Sequence, residues 1–307
     1  GNHPDGKKYA LETELFMELA DEYQFTMAAN YHGGAEVVNY PWDNSKSRHV
    51  DDEWWQMVSR QYADLAQEEN PDYMTDRDNG ITNGADWYMI YGSRQDYMNY
   101  YQQCRELTVE CSTTKCPPAS DLPMYWSYNR NSIYAFLNQV LFGIHGTVKD
   151  AETQEPLKAS VKVINHDRDY SMVESQQPDG NFYRPIKAGD YTIEISAEGY
   201  VTKCEDVVVT DNEKTIVEIH LEKYDDALEE YDDVDFKIDA LDETVYINNK
   251  FLKTIHCELI NIHGQIVRKD CINEENIGLN FSELNGGIYF LNIIIEGKQM
   301  VRKIVVR

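Results

Sequence analysis

The sequence predicts an α/β domain followed by two small all-β sandwich domains. A nearly unbroken apolar run, Phe25 to Ala29, is typical of a strand buried on both faces of a mainly parallel sheet. Apolar residues recur at helical spacing on both sides of that run, as amphipathic helices require. From Ile144 onwards the apolar period changes to two, which indicates short strands.

The first strand should be preceded and followed by helices. Leu11, Leu15 and Leu19 predict a surface helix over about residues 8–22. After the strand, Gly33 and Gly34 allow the backbone to turn tightly. A second helix opens with the acids of residues 51–53, which favour its positive end. Its predicted buried stripe consists of Val50, Trp54, Met57, Val58, Tyr62 and Leu65.

Residues 69–102 are predicted to be loop-rich, and long irregular segments of compact domains are often functional. Residues 104–111 alternate as a strand, with Glu106, Thr108 and Glu110 on one face. A last helix, ending near Gly143, is predicted from a stripe of Ile133, Phe136, Leu137, Val140 and Leu141.

The rest of the chain is predicted to be β-rich. Strands are expected at Ser160 to Ile164, Tyr191 to Ile195 and Thr215 to Leu221, in a sandwich of about 80 residues. Seven acids between residues 225 and 235 indicate a solvated linker, with an acidic calcium site as the alternative. We therefore expect domains at 1–142, 143–223 and 236–307, with the linker at 224–235.

Composition restricts the partners. The 307 residues include 28 Lys and Arg against 54 Asp and Glu, a net charge of −26, which repels nucleic acid. Acidity is also a general solubility device.

No apolar run reaches the length of a membrane span, so no membrane span is expected. The chain begins with Gly1 and has no signal peptide, which indicates a processed or shortened chain.

The six cysteines include no Cys-x-x-Cys pair, so a zinc ribbon is not indicated. Cys257 and Cys271 are candidates for a disulfide across a hairpin in an oxidising compartment. Free buried thiols are the equally plausible alternative.

His32 is the first candidate site residue, because it lies where the predicted strand ends. Ligands of open α/β sheets gather at the carboxyl ends of strands, and a neutral ring nitrogen is a good metal ligand. The alternative is a turn histidine whose ring is satisfied by backbone groups.

The wider pattern resembles a known family. His32 opens His-Gly-Gly-x-x-Val-x-Asn-Tyr-Pro-x-Asp, which is similar to the zinc metallocarboxypeptidases of the regulatory (carboxypeptidase D/N/E) branch. A second block agrees in order and spacing, with Asn-Gly-Ala-Asp-Trp-Tyr at 83–88, Gln-Asp-Tyr at 95–97 and Glu-Leu-Thr-Val-Glu at 106–110. The resemblance implies that residues 1–142 are the C-terminal half of an α/β/α peptidase domain.

The same resemblance implies the chemistry. It assigns His32 as one of three protein ligands of a catalytic zinc and Glu110 as the general base. Tyr88 matches the tyrosine that closes over bound substrate, whereas Asp43 and Gln95 match positions that line the side-chain pocket. A carboxylate in that pocket favours a Lys or Arg side chain by charge pairing. The implied reaction is removal of a C-terminal, basic residue from peptides or proteins.

One family motif is absent from the sequence. The family supplies its other two zinc ligands from a His-x-x-Glu motif upstream, and none of the eight histidines here is followed three residues later by Glu. Since catalytic zinc takes three protein ligands, we expect this chain alone to be inactive. The alternative is a catalytically inactive secreted or cell-surface interaction protein that carries a degenerate peptidase remnant.

Two further resemblances concern the β-rich part. Pro-x-x-Ala-Gly-x-Tyr at 185–191 and Ala-x-Gly-Tyr at 197–200 are similar to the transthyretin-like domain of the same branch. The end of the chain, from Leu284 to Phe290 and from Val301 to Val306, resembles a type IX secretion sorting domain. This resemblance implies export machinery as a partner and a secreted or cell-surface location.

Overall fold

A computed structural model of the protein describes residues 8–223, 234–239, 244–249, 254–295 and 298–306. Three core clusters lie one after another along the chain. The first is covered by helices and the other two lie between sheets, so the predicted fold class is confirmed. Within the described residues, we find no helix that is both long and apolar enough to cross a membrane.

The N-terminal part mixes helices and strands. Its elements are α1 (Leu11–Tyr23), β1 (Met27–His32), β2 (Ala35–Tyr40), α2 (Asp52–Glu69), α3 (Asp76–Asn79), β3 (Ile81–Asn83), α4 (Gly84–Trp87), α5 (Arg94–Tyr101), β4 (Arg105–Ser112) and α6 (Leu122–Asn138). The predicted strand before His32, the alternating strand that contains Glu110 and the helix after residue 51 are all present. The segment 69–102 holds three short helices rather than being mostly loop.

The four strands form one sheet in the order β1-β4-β2-β3. β1 is parallel to β4 and β2 is parallel to β3, whereas β2 and β4 are antiparallel. The expectation that β1 is buried on both faces is wrong. Its residues are half-buried or exposed, because β1 lies at the edge of the described sheet.

α2 and α6 pack together on this sheet. Trp54, Trp55, Val58 and Tyr62 of α2 belong to one core cluster with Leu107 and Val109 of β4. α6 begins eleven residues before its predicted stripe, because Pro123 lies in its first turn, where proline is tolerated. Two predicted core leucines of this region, Leu137 and Leu141, are exposed, and so is the leucine stripe of α1.

The middle part is a sandwich of two sheets, as the period of two predicts. Its strands are β5 (Gly143–Asp150), β6 (Ser160–Val163), β7 (Val173–Glu174), β8 (Asn181–Arg184), β9 (Gly189–Ser196), β10 (Lys203–Val209) and β11 (Lys214–Leu221). The sheet orders are β10-β9-β6-β7 and β11-β5-β8. β5 and β11 are parallel, and the other pairs are antiparallel.

The C-terminal part contains a second pair of sheets. Its strands are β12 (Val234–Asp239), β13 (Thr244–Asn249), β14 (Ile255–Asn261), β15 (Ile266–Ile272), β16 (Asn276–Asn280), β17 (Gly287–Ile295) and β18 (Lys298–Val306). The orders are β12-β13-β16 and β15-β14-β17-β18. Residues 224–233 of the predicted linker, with the alternative calcium site, lie outside the described residues. Residues 234–235 already belong to β12.

A disulfide joins Cys204 of β10 to Cys271 of β15. The expected pairing of Cys257 with Cys271 is therefore wrong, and Cys257 is a free, buried thiol. The register explains the difference, since Cys271 lies opposite His256 and Cys257 lies opposite Asp270. Neighbouring residues of a strand point to opposite faces of the sheet, so the two cysteines of this hairpin face away from each other.

A buried charge network connects the N-terminal part to the middle sandwich. Asp51 precedes α2 and accepts hydrogen bonds from Nη2 of Arg105 at 3.0 Å and Nη2 of Arg184 at 2.8 Å. Nε2 of His166 lies 2.7 Å from the same carboxylate. Burial alone would raise the pKa of Asp51, but Arg184, the bond from His166 and Arg105 together hold that pKa well below its usual range.

Asp51→Ala should strongly destabilise the protein, because it leaves the guanidinium groups of Arg105 and Arg184 buried without this counter-charge. We expect the free energy of unfolding to fall by about 3–5 kcal/mol in urea denaturation, the usual cost of breaking a buried ion pair. As a control, Glu174→Ala removes the partner of Lys158 in an exposed pair and should change stability by less than about 1 kcal/mol. Equal effects of the two variants would contradict this role for Asp51.

Candidate active site

The ends of two adjacent parallel strands bring His32 and Glu110 together. β1 and β4 pair in a register that places His32 directly beside Glu110, and equivalent residues of parallel neighbours face the same side of a sheet. Nδ1 of His32 lies 3.0 Å from both carboxylate oxygens of Glu110. The His32 side chain is 56% exposed and that of Glu110 only 11%, so the carboxylate lies deeper than the imidazole.

The turn after His32 is tied to the same strand. Gly34 has a φ of +134°, a conformation that glycine adopts without strain. Its backbone N–H donates to the carbonyl oxygen of Ser112 at 2.7 Å. The end of β1 and the end of β4 are thereby held together on both sides of the His32–Glu110 pair.

A cavity of about 260 Å³ opens in front of this pair. It is lined by all five residues that the sequence proposes for the site, together with side chains from β1, β2, β4 and the segment 84–95. The lining residues are Asn30, His32, Asn39, Asp43, Gly84, Trp87, Tyr88, Ile90, Ser93, Arg94, Gln95, Thr108 and Glu110.

Asp43 lies in a buried part of the cavity wall. It is 2% exposed, and its Oδ1 accepts hydrogen bonds from Nδ2 of Asn39 at 3.0 Å and Nε2 of Gln95 at 3.3 Å. A Cβ atom at Gly84 would lie 2.0 Å from the same oxygen. Only glycine fits at position 84 while the Asp43 carboxylate stays where it is.

The two amides beside Asp43 add further acceptors to the wall. Oδ1 of Asn39 and Oε1 of Gln95 are buried and have no hydrogen-bond partner among the residues that the structure describes. Buried polar atoms are normally paired. The Asp43 carboxylate, with these amides beside it in the cavity lining, favours a ligand that brings positive charge.

Asp96 positions the part of the cavity wall that contains Asp43. The sequence analysis did not propose Asp96 as a site residue. Its carboxylate accepts hydrogen bonds from the backbone N–H groups of Asp43 at 2.9 Å and Asn44 at 3.0 Å. Burial raises its pKa to about 6 against these two bonds. The only sequence signal was its place in the Gln-Asp-Tyr block at 95–97, which does not reveal a contact 53 residues away.

Tyr88 stands at the rim of the cavity. Its side chain is 55% exposed, and its ring packs edge-on against Trp87 with centroids 5.1 Å apart. The ring is therefore open to solvent where it lines the cavity.

Glu106 shares the strand face of Glu110 but lies in a different environment. It is fully buried, and its Oε2 accepts hydrogen bonds from Nε and Nη2 of Arg94 at 3.1 and 3.0 Å. Burial raises the pKa of Glu106 to about 7, although Arg94 acts in the opposite direction. Glu106 is thus paired with Arg94, and it is Arg94 rather than Glu106 that lines the cavity.

The described residues do not by themselves form a three-ligand zinc centre here. Two groups of at least three potential ligands exist in the described part of the chain, Cys204 with His256 and Cys271, and Asp51 with His166 and Asp167. His32 belongs to neither group. The second group is already bound by the Arg105 and Arg184 guanidinium groups.

Comparison with known proteins identifies the parts of the chain. Residues 2–132 match the zinc carboxypeptidase family, residues 143–222 match the carboxypeptidase regulatory-like domain, and residues 241–307 match the secretion system C-terminal sorting domain. The last match points to secretion or the cell surface.

Curated relatives agree with these matches. The chain is 33% identical to the human carboxypeptidase N catalytic chain over 241 residues, which are 72% of this chain and 51% of the relative. It is 36% identical to carboxypeptidase D of Anas platyrhynchos, covering 64% of this chain and 15% of the relative. It is 34% identical to carboxypeptidase E of Caenorhabditis elegans, covering 60% and 44%. The chain spans about half or less of the length of these relatives.

The buried Glu106 predicts a specific pH dependence of stability. In the unfolded chain Glu106 should titrate near about pH 4.3, whereas its folded pKa is about 7. Its contribution is therefore fully present below the unfolded pKa and is lost as pH rises through the folded pKa. Relative to Glu106→Gln, the wild-type free energy of unfolding should fall by about 2–4 kcal/mol between about pH 4 and pH 8.

Urea denaturation across that pH range measures the difference. The exposed acid variant Glu218→Gln serves as a control and should stay parallel to wild type at every pH. A difference between wild type and Glu106→Gln that does not change with pH would show that folding does not raise the pKa of Glu106.

Proposed function

Because residues 2–132 match the zinc carboxypeptidase family, we propose that the chain carries the general-base and substrate-pocket part of a metallocarboxypeptidase active site. The observation that carries the proposal is the His32–Glu110 pair at the end of two parallel strands. The reaction is hydrolysis of the last peptide bond of a peptide or protein, with zinc as the cofactor.

In this proposal, Glu110 is the general base. It takes a proton from the attacking water, the hydroxyl adds to the carbonyl carbon, and the same proton passes to the leaving amine as the C–N bond breaks. A carboxylate can perform both transfers when it is held within hydrogen-bond reach of the water. The depth of Glu110 in the cavity and its contact with His32 support this role.

His32 is proposed as a zinc ligand. One histidine cannot hold catalytic zinc, for which three protein ligands are the rule, and within the described residues His32 belongs to no group of three potential ligands. The proposal therefore requires two more ligands from residues outside this sequence. Bound zinc would activate the water as a nucleophile.

The acceptor-rich wall is proposed to select a basic side chain. Asp43, which lines the cavity beside Asn39 and Gln95, offers a negative charge to an ammonium or guanidinium group. Charge-assisted hydrogen bonds of this kind are stronger than neutral ones. We propose that the residue removed is Lys or Arg, and that Tyr88 closes over the bound C-terminus.

The proposal also covers the organisation of the chain. Domains are placed at residues 1–142, 143–223 and 236–307, with a linker at 224–235, and the last domain addresses the protein to the export machinery of a type IX secretion system.

The single zinc ligand favours a second candidate function, in which the chain is a catalytically inactive secreted or cell-surface interaction protein. The presence or absence of peptidase activity separates the two candidates.

Glu110→Gln tests the general base. In a protein that joins this chain to the upstream coding sequence, kcat for a dansylated peptide ending in Arg should fall about 10²–10⁴-fold, the range typical of a lost general base. Zinc content, measured by atomic absorption, should match wild type because Glu110 is not proposed as a ligand.

Glu218→Gln, at an exposed position of β11, is the matched control and should keep full activity. Activity that survives in Glu110→Gln would remove Glu110 from the mechanism. If the wild-type extended protein shows no hydrolysis with zinc added, the inactive interaction protein becomes the better account.

Asp43→Asn tests the pocket by removing its negative charge with little change in shape. The ratio of kcat/KM for peptides ending in Arg to kcat/KM for peptides ending in Leu should fall about 10–100-fold, as expected for loss of a charged hydrogen bond. Asp86→Asn removes the same charge from an exposed residue paired with Arg48 and should leave the ratio unchanged. An unchanged ratio in Asp43→Asn would mean that Asp43 does not select the side chain.

A further inference from the structure

A cluster of soft ligands lies where the middle and C-terminal sandwiches meet. The sulfur atoms of Cys204 and Cys271 and a ring nitrogen of His256 all lie within 4.8 Å of one another. Oε2 of Glu194 is 3.2 Å from Nδ1 of His256. This cluster is separate from the cavity that contains His32 and shares no residue with it.

The cluster is built from two cross-strand pairs. Cys204 lies opposite Glu194 on β10 and β9, and His256 lies opposite Cys271 on β14 and β15. Directly opposed residues of antiparallel strands point to the same face. Each sandwich therefore presents one cysteine and one further donor to the other, which makes the contact a four-residue cluster rather than an isolated disulfide.

Other contacts hold the two sandwiches in this position. Nδ2 of Asn165 donates to the carbonyl oxygen of Lys269 at 2.8 Å, and the backbone N–H of Lys269 donates back to Oδ1 of Asn165 at 3.2 Å. The geometry of the cluster thus does not depend on the bond between its two sulfur atoms alone.

The chemistry of the cluster suits a borderline-soft cation. Two cysteine thiolates and an imidazole are typical zinc ligands. Metal-binding histidines usually donate their other ring N–H to a carboxylate, which fixes the ring. Glu194 is placed for that second role, because its Oε2 lies beside Nδ1 of His256.

We propose that this cluster is a redox-gated zinc site between the two sandwiches. In the oxidised form, the two sulfur atoms are bonded to each other and do not bind metal. A small thiol reductant transfers two electrons and two protons to the Cys204–Cys271 bond and is itself oxidised to a disulfide. The two thiols then lose their protons on binding Zn²⁺, with Nε2 of His256 as the third protein ligand.

The proposal is independent of peptidase activity. Both forms link the same two sandwiches, one covalently and one through the cation. Removal of the disulfide by reduction would therefore not release the C-terminal part when zinc is present. Under reducing conditions the bound cation would link the two sandwiches, and under oxidising conditions the disulfide would link them.

Cobalt titration of the reduced chain tests the site. Co²⁺ should add as one equivalent and give the thiolate-to-cobalt charge-transfer band in the near ultraviolet, and Zn²⁺ should displace it. The oxidised chain should give no such band. Cys204→Ser should lose the band, whereas Cys116→Ser, at an exposed free cysteine, should retain it.

His256→Gln separates metal binding from disulfide formation. The variant keeps both cysteines, so oxidation should still consume two thiols per chain, but Co²⁺ affinity should fall at least about 10-fold, since even outer partners of metal ligands contribute that much. Absence of the band in the reduced wild type, or a band unaffected by His256→Gln and Cys204→Ser, would overturn the proposal. The cluster would then be a structural disulfide only.

Discussion

The buried Asp51 carboxylate is the interaction on which the arrangement of the first two parts depends. It stands immediately before α2 and binds Arg105 at the start of β4 and Arg184 at the end of β8. Buried charges are costly unless they are paired and hydrogen-bonded, so these groups restrict each other to one geometry. Glu110 lies five residues further along the same strand, β4, and the network therefore fixes the beginning of the strand that presents the proposed base.

Family resemblance predicted the two residues at the centre of the candidate site, and local periodicity placed them on predicted strands. Alternation along β4 placed Glu106 and Glu110 on one face, and the apolar run before His32 placed the imidazole at a strand end. The parallel pairing of β1 with β4 then brings the two ends together. Their catalytic roles stay predictions, since they come from family resemblance, whereas the 3.0 Å contact is a property of the fold.

The features that sequence reasoning missed depend on long-range contacts. β1 is half-buried because it lies at the edge of the sheet. The spacing of apolar residues in the sequence does not indicate which strand lies at an edge. The disulfide partner of Cys271 depends on strand register and on a neighbouring sandwich. Asp96 binds the backbone of Asp43 from 53 residues away, and the opposite environments of Glu106 and Glu110 arise from Arg94 and the cavity. In each case the sequence shows the residue type, but it does not show which distant residues surround that residue in the fold.

Packing and chemistry are incomplete on the same side of the N-terminal part. α1 packs through Ala20 and Phe16 near Ala28 of β1, yet Leu11, Leu15 and Leu19 remain exposed. β1 has a neighbour on one side only in the described sheet, and unpaired strand edges normally need cover. His32, the single proposed zinc ligand, lies at the end of that strand. A segment that covered this edge could supply the missing ligands beside His32, so the proposal of a metallocarboxypeptidase completed by residues outside this sequence meets a packing requirement as well as a chemical one.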